Sequence, residues 1–221
     1  MVGTFPARRA EAARTLTLED AKIPPGARRI LDLGCGDGQS TLQAIGFSPA
    51  SEGKAMFVCG LDVDVASLQA LKAHASHLQC VAARGEQLPF KVGSFDYVMS
   101  GVALPYMDIP RALREVRRVL RPEGEFWASL HSSSVVWNHL LNSIRSRNWK
   151  DILYRSYVLL NGFCLHFIGK VFRFPLKRKR IESGQTRRGM RLVLRSAGFT
   201  DIAMNQGGQR FTVAAKRGRS G

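Results

Sequence analysis

Three observations predict an α/β domain built on a seven-stranded, mostly parallel sheet. Short apolar runs alternate with helix-like segments along most of the chain. The first of these runs stops at a glycine cluster, as a strand does when it turns directly into a helix. The last two runs are separated by Gly207-Gly208, which suits a hairpin and makes the final strand antiparallel.

Each element has a local reason. Ala10, Ala13, Leu16 and Ala21 give residues 7–22 a weakly apolar helical face, ended by Pro24-Pro25-Gly26. The run 28–33 reads as a buried strand, and 39–46 as the helix after the glycines. The alternation continues with strand 55–61, helix 64–76, strand 78–83, strand 95–100 and helix 109–119. Arg121-Pro122-Glu123-Gly124 reads as a turn before strand 125–130. Helix 187–197, strand 199–204 and strand 210–215 complete the pattern, with 216–221 as a frayed tail. Alternating elements of this kind place helices on both faces of the sheet.

The regularity breaks at His131. Residues 131–185 hold no clean strand and read as a helical insertion, a lid within a single domain spanning 1–221. Its aromatic residues Tyr154, Tyr157, Phe163, Phe167, Phe172 and Phe174 have two readings, the wall of an apolar pocket or the insertion's own core.

Composition narrows the class. With 221 residues, 45% apolar and 23% charged, the chain has the make-up of a globular domain with a sizeable core. The four cysteines form no CxxC pair, so reduced thiols and no metal are expected. No apolar stretch follows Arg8 and Arg9 and no run spans a bilayer, so a cytoplasmic protein is expected. The net charge of +16 is local. Residues 1–128 carry 15 basic and 14 acidic side chains, whereas 129–221 carry 18 basic and 3 acidic. A basic half suits nucleic acid, an anionic membrane surface or an acidic substrate.

Two motifs carry chemistry. In Asp32-Leu33-Gly34-Cys35-Gly36-Asp37-Gly38, a strand runs into glycines at alternate positions, which lets backbone approach a ligand closely. A dinucleotide fingerprint needs glycine where Gln39 stands, so the loop is less suited to a pyrophosphate. Asp32 beside it suits a ligand with a cationic group, and the alternative is a tight turn without ligand. The second motif is Asp62, at the end of the second strand, where a carboxylate can accept both hydroxyls of a ribose diol. Helix capping is the other reading, a task Asp64 serves equally, and the favoured division is Asp62 for the ribose and Asp64 for the cap.

These stretches resemble the class I S-adenosylmethionine-dependent methyltransferases. ILDLGCGDG (30–38) and GLDVDVASL (60–68) are similar to the family's first two motifs. EQLPFKVGSFDYVMSGVAL (86–104) is similar to the small-molecule branch that includes quinone-biosynthesis enzymes. RALREVRRVLRPEGEF (111–126) and RLVLRSAGF (191–199) resemble later elements. The resemblance implies a Rossmann-like fold and S-adenosyl-L-methionine as cofactor. By that resemblance Asp32, Gly34, Cys35, Gly36 and Gly38 would hold its methionine part. Asp62 would hold the ribose, and Val63 would lie against adenine. Ser100 and Gly101 would flank the methyl donor. Where the family often has Asp-Ala-Glu, this chain has Arg84-Gly85-Glu86, so adenine falls to backbone near Gly85 or to Glu86.

The acceptor is less legible. Tyr106 follows the fourth strand and His131 the fifth, both at the sheet's mouth, and His131 is the expected base. Asp108 reads as a helix cap. The expected function is methyl transfer to a small molecule, lipophilic or anionic. A nucleic-acid methyltransferase and a non-catalytic or membrane-associated scaffold are the alternatives. A peripheral contact with an anionic membrane fits the aromatic and basic insertion.

Overall fold

The computed structural model describes residues 23–46, 56–175, 181–207 and 209–218. The expected helix 7–22, the start of the strand at 55, the basic run 177–180, Gly208 and the end of the tail lie outside the described residues.

The strands are β1 (Arg29–Leu33), β2 (Phe57–Asp62), β3 (Gln79–Ala82), β4 (Phe95–Gly101), β5 (Leu120–His131), β6 (Phe199–Gly207) and β7 (Arg210–Arg217). The helices are α1 (Gln39–Gly46), α2 (Val65–His74), α3 (Ile109–Val119), α4 (Ser133–Arg145), α5 (Trp149–Ile168) and α6 (Arg187–Ser196), with a 3₁₀ turn at Leu104–Tyr106. The seven strands form one sheet in the order β3-β2-β1-β4-β5-β7-β6. β1 to β5 pair in parallel, and β7 runs antiparallel between β5 and β6.

Strand parity sorts the core. Leu31, Val98, Phe126 and Ala128 point to one face, where α3 and α6 cover them with Leu113, Val116, Met190 and Val193. Ile30, Tyr97, Met99 and Trp127 point to the other, against Ala44 of α1 and Leu68 and Leu71 of α2.

Caps fall where the sequence puts them. Asp64 accepts from the Ala66 amide at the head of α2, and Asp108 accepts from the Arg111 amide at the head of α3. The expected turn at 121–124 is instead a bulge inside β5. Pairing passes from Phe95–Leu120 to Tyr97–Glu125, so residues 121–124 stand opposite Asp96 alone. Asp96 closes this end of the sheet. It accepts from the Arg28 and Arg29 amides at 2.8 Å and from the Arg121 guanidinium at 2.6 Å.

The insertion is an antiparallel pair of helices, α4 and α5, and residues 181–186 lead from it into α6. Gly162 meets the backbone of Gly184, and Gly189 meets that of Leu165 and His166, so chain packs directly on helix where any side chain would intrude. Ser183 donates its amide to the Pro105 carbonyl, tying the returning segment to the 3₁₀ turn at the sheet's mouth.

Candidate functional site

The chain leaves β1 for β2 and β3 on one side, and β4 and β5 lie on the other. The crevice at the carboxyl ends of β1 and β4 is therefore the topological switch point, where open α/β sheets bind ligands. The glycine loop fills its floor. Gly34 has φ +75°, and a β-carbon there would stand 2.2 Å from Cβ of Ala103. The loop is pinned to β2 by the Gly34 and Cys35 amides, which donate to the Leu61 carbonyl at 2.7 and 3.1 Å. Cys35 is buried, and its thiol is driven upward in pKa by burial and then by Asp32 and Asp62. Gly38 faces Leu71 of α2, not the crevice.

Asp62 braces the same loop from the side. Its Oδ2 accepts from the Gly36 amide at 2.8 Å, and its Oδ1 accepts from the Asp64 amide at 3.0 Å. Each carboxylate oxygen keeps a further lone pair for a ligand hydroxyl. Val63 beside it is 67% exposed, an apolar surface open to a flat ring.

Asp32 lies beneath the loop. It shares the face of Ile30, which α1 covers, and is 1% exposed. Thr41 of α1 donates to its Oδ2 at 2.5 Å. Burial pushes the carboxyl up to about 7; Thr41 opposes this and the Asp62 charge adds to it. Asp32 thus supports the loop from below in this structure, and its carboxylate is not laid open to the crevice.

Arg84 is exposed and turns to Glu86 at 3.3 Å. Glu86 also accepts from the Asp108 amide at 3.0 Å, so it ties the loop after β3 to the head of α3. Gly85 is buried against Met107 and Leu33. The Ser100 hydroxyl donates to the Leu33 carbonyl at 2.9 Å and ties β4 to β1, turned away from solvent. Gly101 faces Ser40 in α1. The next residue, Val102, holds φ +62°, an uncommon conformation for a β-branched side chain, and it turns the chain out of β4 at the crevice.

On the acceptor side, Tyr106 is 47% exposed in the 3₁₀ turn. His131 ends β5, half-buried and opposite Arg210 of β7. Burial, Arg210 and His139, in that order, lower its pKa below the ordinary histidine value of 6.5, so the ring is neutral at neutral pH. The insertion's aromatics divide. Tyr154, Tyr157 and Phe174 pack together as its core, whereas Phe163, Phe167 and Phe172 are exposed. His166 is bonded to the Thr186 hydroxyl at 2.7 Å, next to Gln185, which bridges Ser132 just past the end of β5.

Sequence reasoning missed three residues here. Thr41 is the partner of Asp32; strand parity is the signal that points to it. Met107 packs against both Gly34 and Gly85, linking the loops after β1 and β3. Ser129, level with Gly101 in β5, buries a hydroxyl with no hydrogen-bond partner among the described residues. Among the described residues no cluster of His, Cys, Asp or Glu is placed to hold a metal ion.

Comparisons with known proteins agree with this geometry. A family model described as "Methyltransferase domain" matches residues 31–128. A malonyl-[acyl-carrier protein] O-methyltransferase of Halorhodospira halophila is 33% identical over 61% of this chain and 46% of its own length. An uncharacterized methyltransferase of Synechocystis is 36% identical over 52% of each chain. The chain thus spans about half the length of these curated relatives. In fold, a solved S-adenosylmethionine-dependent methyltransferase from Mesorhizobium loti superposes with TM-score 0.59 at 21% identity, over 90% of this chain and 95% of that one. The match over residues 31–128, the sheet order and the glycine loop braced by the acid of β2 make the chain similar to the class I S-adenosylmethionine-dependent methyltransferases.

Proposed function

We propose that the protein transfers the methyl group of S-adenosylmethionine to a small-molecule acceptor, lipophilic or anionic. The observation that carries this reading is the bracket between Asp62 and the Gly36 amide at the switch point. The residues fit the cofactor. A β-carbon on Gly36 would meet no atom within 4 Å, so the loop opens onto free space there. Asp62 has lone pairs left for a ribose diol, and Val63 offers its exposed side chain to adenine. The backbone at Gly85 stands beside them. Gly101 and the unpaired Ser129 hydroxyl flank the donor end.

When bound, S-adenosylmethionine supplies an electrophilic methyl on a sulfonium sulfur, open to in-line attack. The protein's own part is to orient the acceptor, exclude water and hold the acceptor's proton. His131, neutral at neutral pH, takes that proton on its free ring nitrogen. Arg210 beside it gives the mouth a cation for an anionic acceptor, and Tyr106 bounds the opposite side. We assign residues 131–185 as the lid of this mouth within a single domain. An anionic membrane surface goes with a lipophilic acceptor as the partner of this reading.

Thermal unfolding with and without S-adenosylhomocysteine tests the cofactor. At 100 times its dissociation constant a native-state ligand adds about 2.7 kcal/mol, on the order of 5–10 °C for a chain of this size. No shift at millimolar ligand refutes the reading. A positive shift leads to turnover assays with lipophilic phenols and quinols beside carboxylate acceptors, reading S-adenosylhomocysteine released.

A further inference from the structure

Helix α5 carries two apolar faces. Tyr154, Val158 and Leu165 face inward with Asn161. Opposite them Trp149, Leu153, Leu160, Phe163 and Phe167 form an outward line broken only by Ser156. Their spacing alternates four and three residues, so one face persists from end to end, about 27 Å at 1.5 Å per residue. These five side chains are between 45% and 66% exposed. Helix α4 adds Trp137, Leu141 and Ile144 at the same spacing, also exposed. A helix on a globular surface ordinarily turns charged and polar residues outward. Here the outward face is nearly all apolar.

Cations stand at both ends of the α5 line. The Lys150 ammonium lies 5.6 Å from the Trp149 ring centre, and the Arg188 guanidinium lies 5.7 Å from that of Phe167. Between 133 and 191 the acids are Asp151 and Glu182, and both are engaged within the fold. Asp151 accepts from the Ser143 hydroxyl at 2.8 Å. Glu182 accepts from the Tyr154 hydroxyl at 2.5 Å and pairs with Arg155 at 3.6 Å. The face is therefore apolar along its length, cationic at its ends and free of acid.

We propose that this face docks the protein on an anionic membrane surface. The helix lies in the plane of the bilayer, its Trp, Leu and Phe side chains sunk among headgroups and upper acyl chains, with Lys150 and Arg188 against lipid phosphates. No helix among the described residues is long and apolar enough to cross a membrane, in keeping with a helix that lies on the surface. A second copy is the poorer occupant, because pairing two such faces brings their cations together. Nucleic acid is poorer still, since a line of Leu and Phe finds no apolar surface along a phosphate backbone.

The test uses the full chain and vesicles of equimolar phosphatidylcholine and phosphatidylglycerol, with pure phosphatidylcholine as control. Trp137 and Trp149 are exposed on this helical pair while Trp127 is buried, so tryptophan emission reads the docking face. Anionic vesicles are expected to shift emission to the blue and to carry the protein down on sedimentation. Leu160→Lys with Phe163→Lys is expected to cut partitioning by more than about tenfold. Lys150→Glu with Arg188→Glu is expected to abolish the preference for anionic lipid. These sites are exposed, so melting temperature and S-adenosylhomocysteine binding should stay unchanged, separating this result from failure of the methyltransferase reading. Absence of binding to anionic vesicles at low salt overturns the proposal. So does equal partitioning of parent and Leu160→Lys/Phe163→Lys protein. A dimer seen by light scattering and lost in that variant gives the face to a second copy and overturns it too.

Discussion

Replacing Asp62 by alanine removes two roles that the structure lets one separate. Without ligand, the carboxylate accepts from the Gly36 amide at 2.8 Å and the Asp64 amide at 3.0 Å. Hydrogen bonds to a charged group contribute about 1.5–3 kcal/mol when desolvated. Asp62 is half-buried, so water partly replaces it, and a net loss of about 1–2 kcal/mol is expected for the pair. In a chain of this size that lowers the melting temperature by about 2–8 °C. With ligand, the ribose contact we propose for Asp62 is lost as well, a further 1.5–3 kcal/mol or about 10- to 150-fold in S-adenosylhomocysteine affinity. Asp62→Asn separates the two. It keeps the side chain's size and one acceptor, but turns an amide donor toward a backbone N–H. It should recover part of the melting temperature and little of the affinity. Thermal unfolding without ligand and calorimetric titration with it read the two effects. An alanine variant with unchanged melting temperature and an affinity within about twofold of the parent refutes both roles.

Asp32 makes stability depend on pH. Its proton is held more tightly in the fold, at about 7, than in the unfolded chain, near 3.8, so its contribution is complete below about pH 4 and is lost as pH rises through 7. The gap corresponds to about 4 kcal/mol, and urea unfolding of Asp32→Asn should lack that decline; parallel pH curves for the two proteins refute it. Gly34→Ala should lose about 2–4 kcal/mol from the clash with Ala103 and the left-handed backbone, and Ala103→Gly in the same chain should restore the clash component only, read by thermal unfolding. For His131, the acid limb of kcat/KM should fall below pH 6.5 and disappear in His131→Gln; an unchanged limb removes it as the base.

Much of this was legible in the chain where one signal dominated. Asp108-Ile109-Pro110 announces α3, because aspartate caps and proline is tolerated in the first turn, and the helix occupies the residues expected. The stretch 121–124 misled because proline and glycine mark turns and bulges alike; only pairing with β4 tells them apart. Asp32 sits next to the glycines and so reads as a ligand residue. Yet it has the parity of Ile30, and parity sends it under α1. Helix α5 hid its outward line because apolar residues on both faces blur the single amphipathic stripe that a sequence reader looks for. The acceptor stayed out of reach for a different reason. His131 and Tyr106 can be placed at strand ends, but Arg210, proposed beside them, is brought opposite His131 only by the pairing of β5 with β7.

The position of β7 bears on how the protein is made. In the sheet it separates β5 from β6, yet it follows both in the chain. During synthesis β5 therefore emerges with its outer edge unpaired, and β6 has no neighbour to join until residues 210–217 leave the ribosome. Leu120–His131, long and buried in its second half, spends that interval as an open strand edge. The nascent chain is thus exposed to aggregation and to chaperone capture until Arg210–Arg217 emerge, and stalling or truncation before Arg210 leaves both strands without the partner they share.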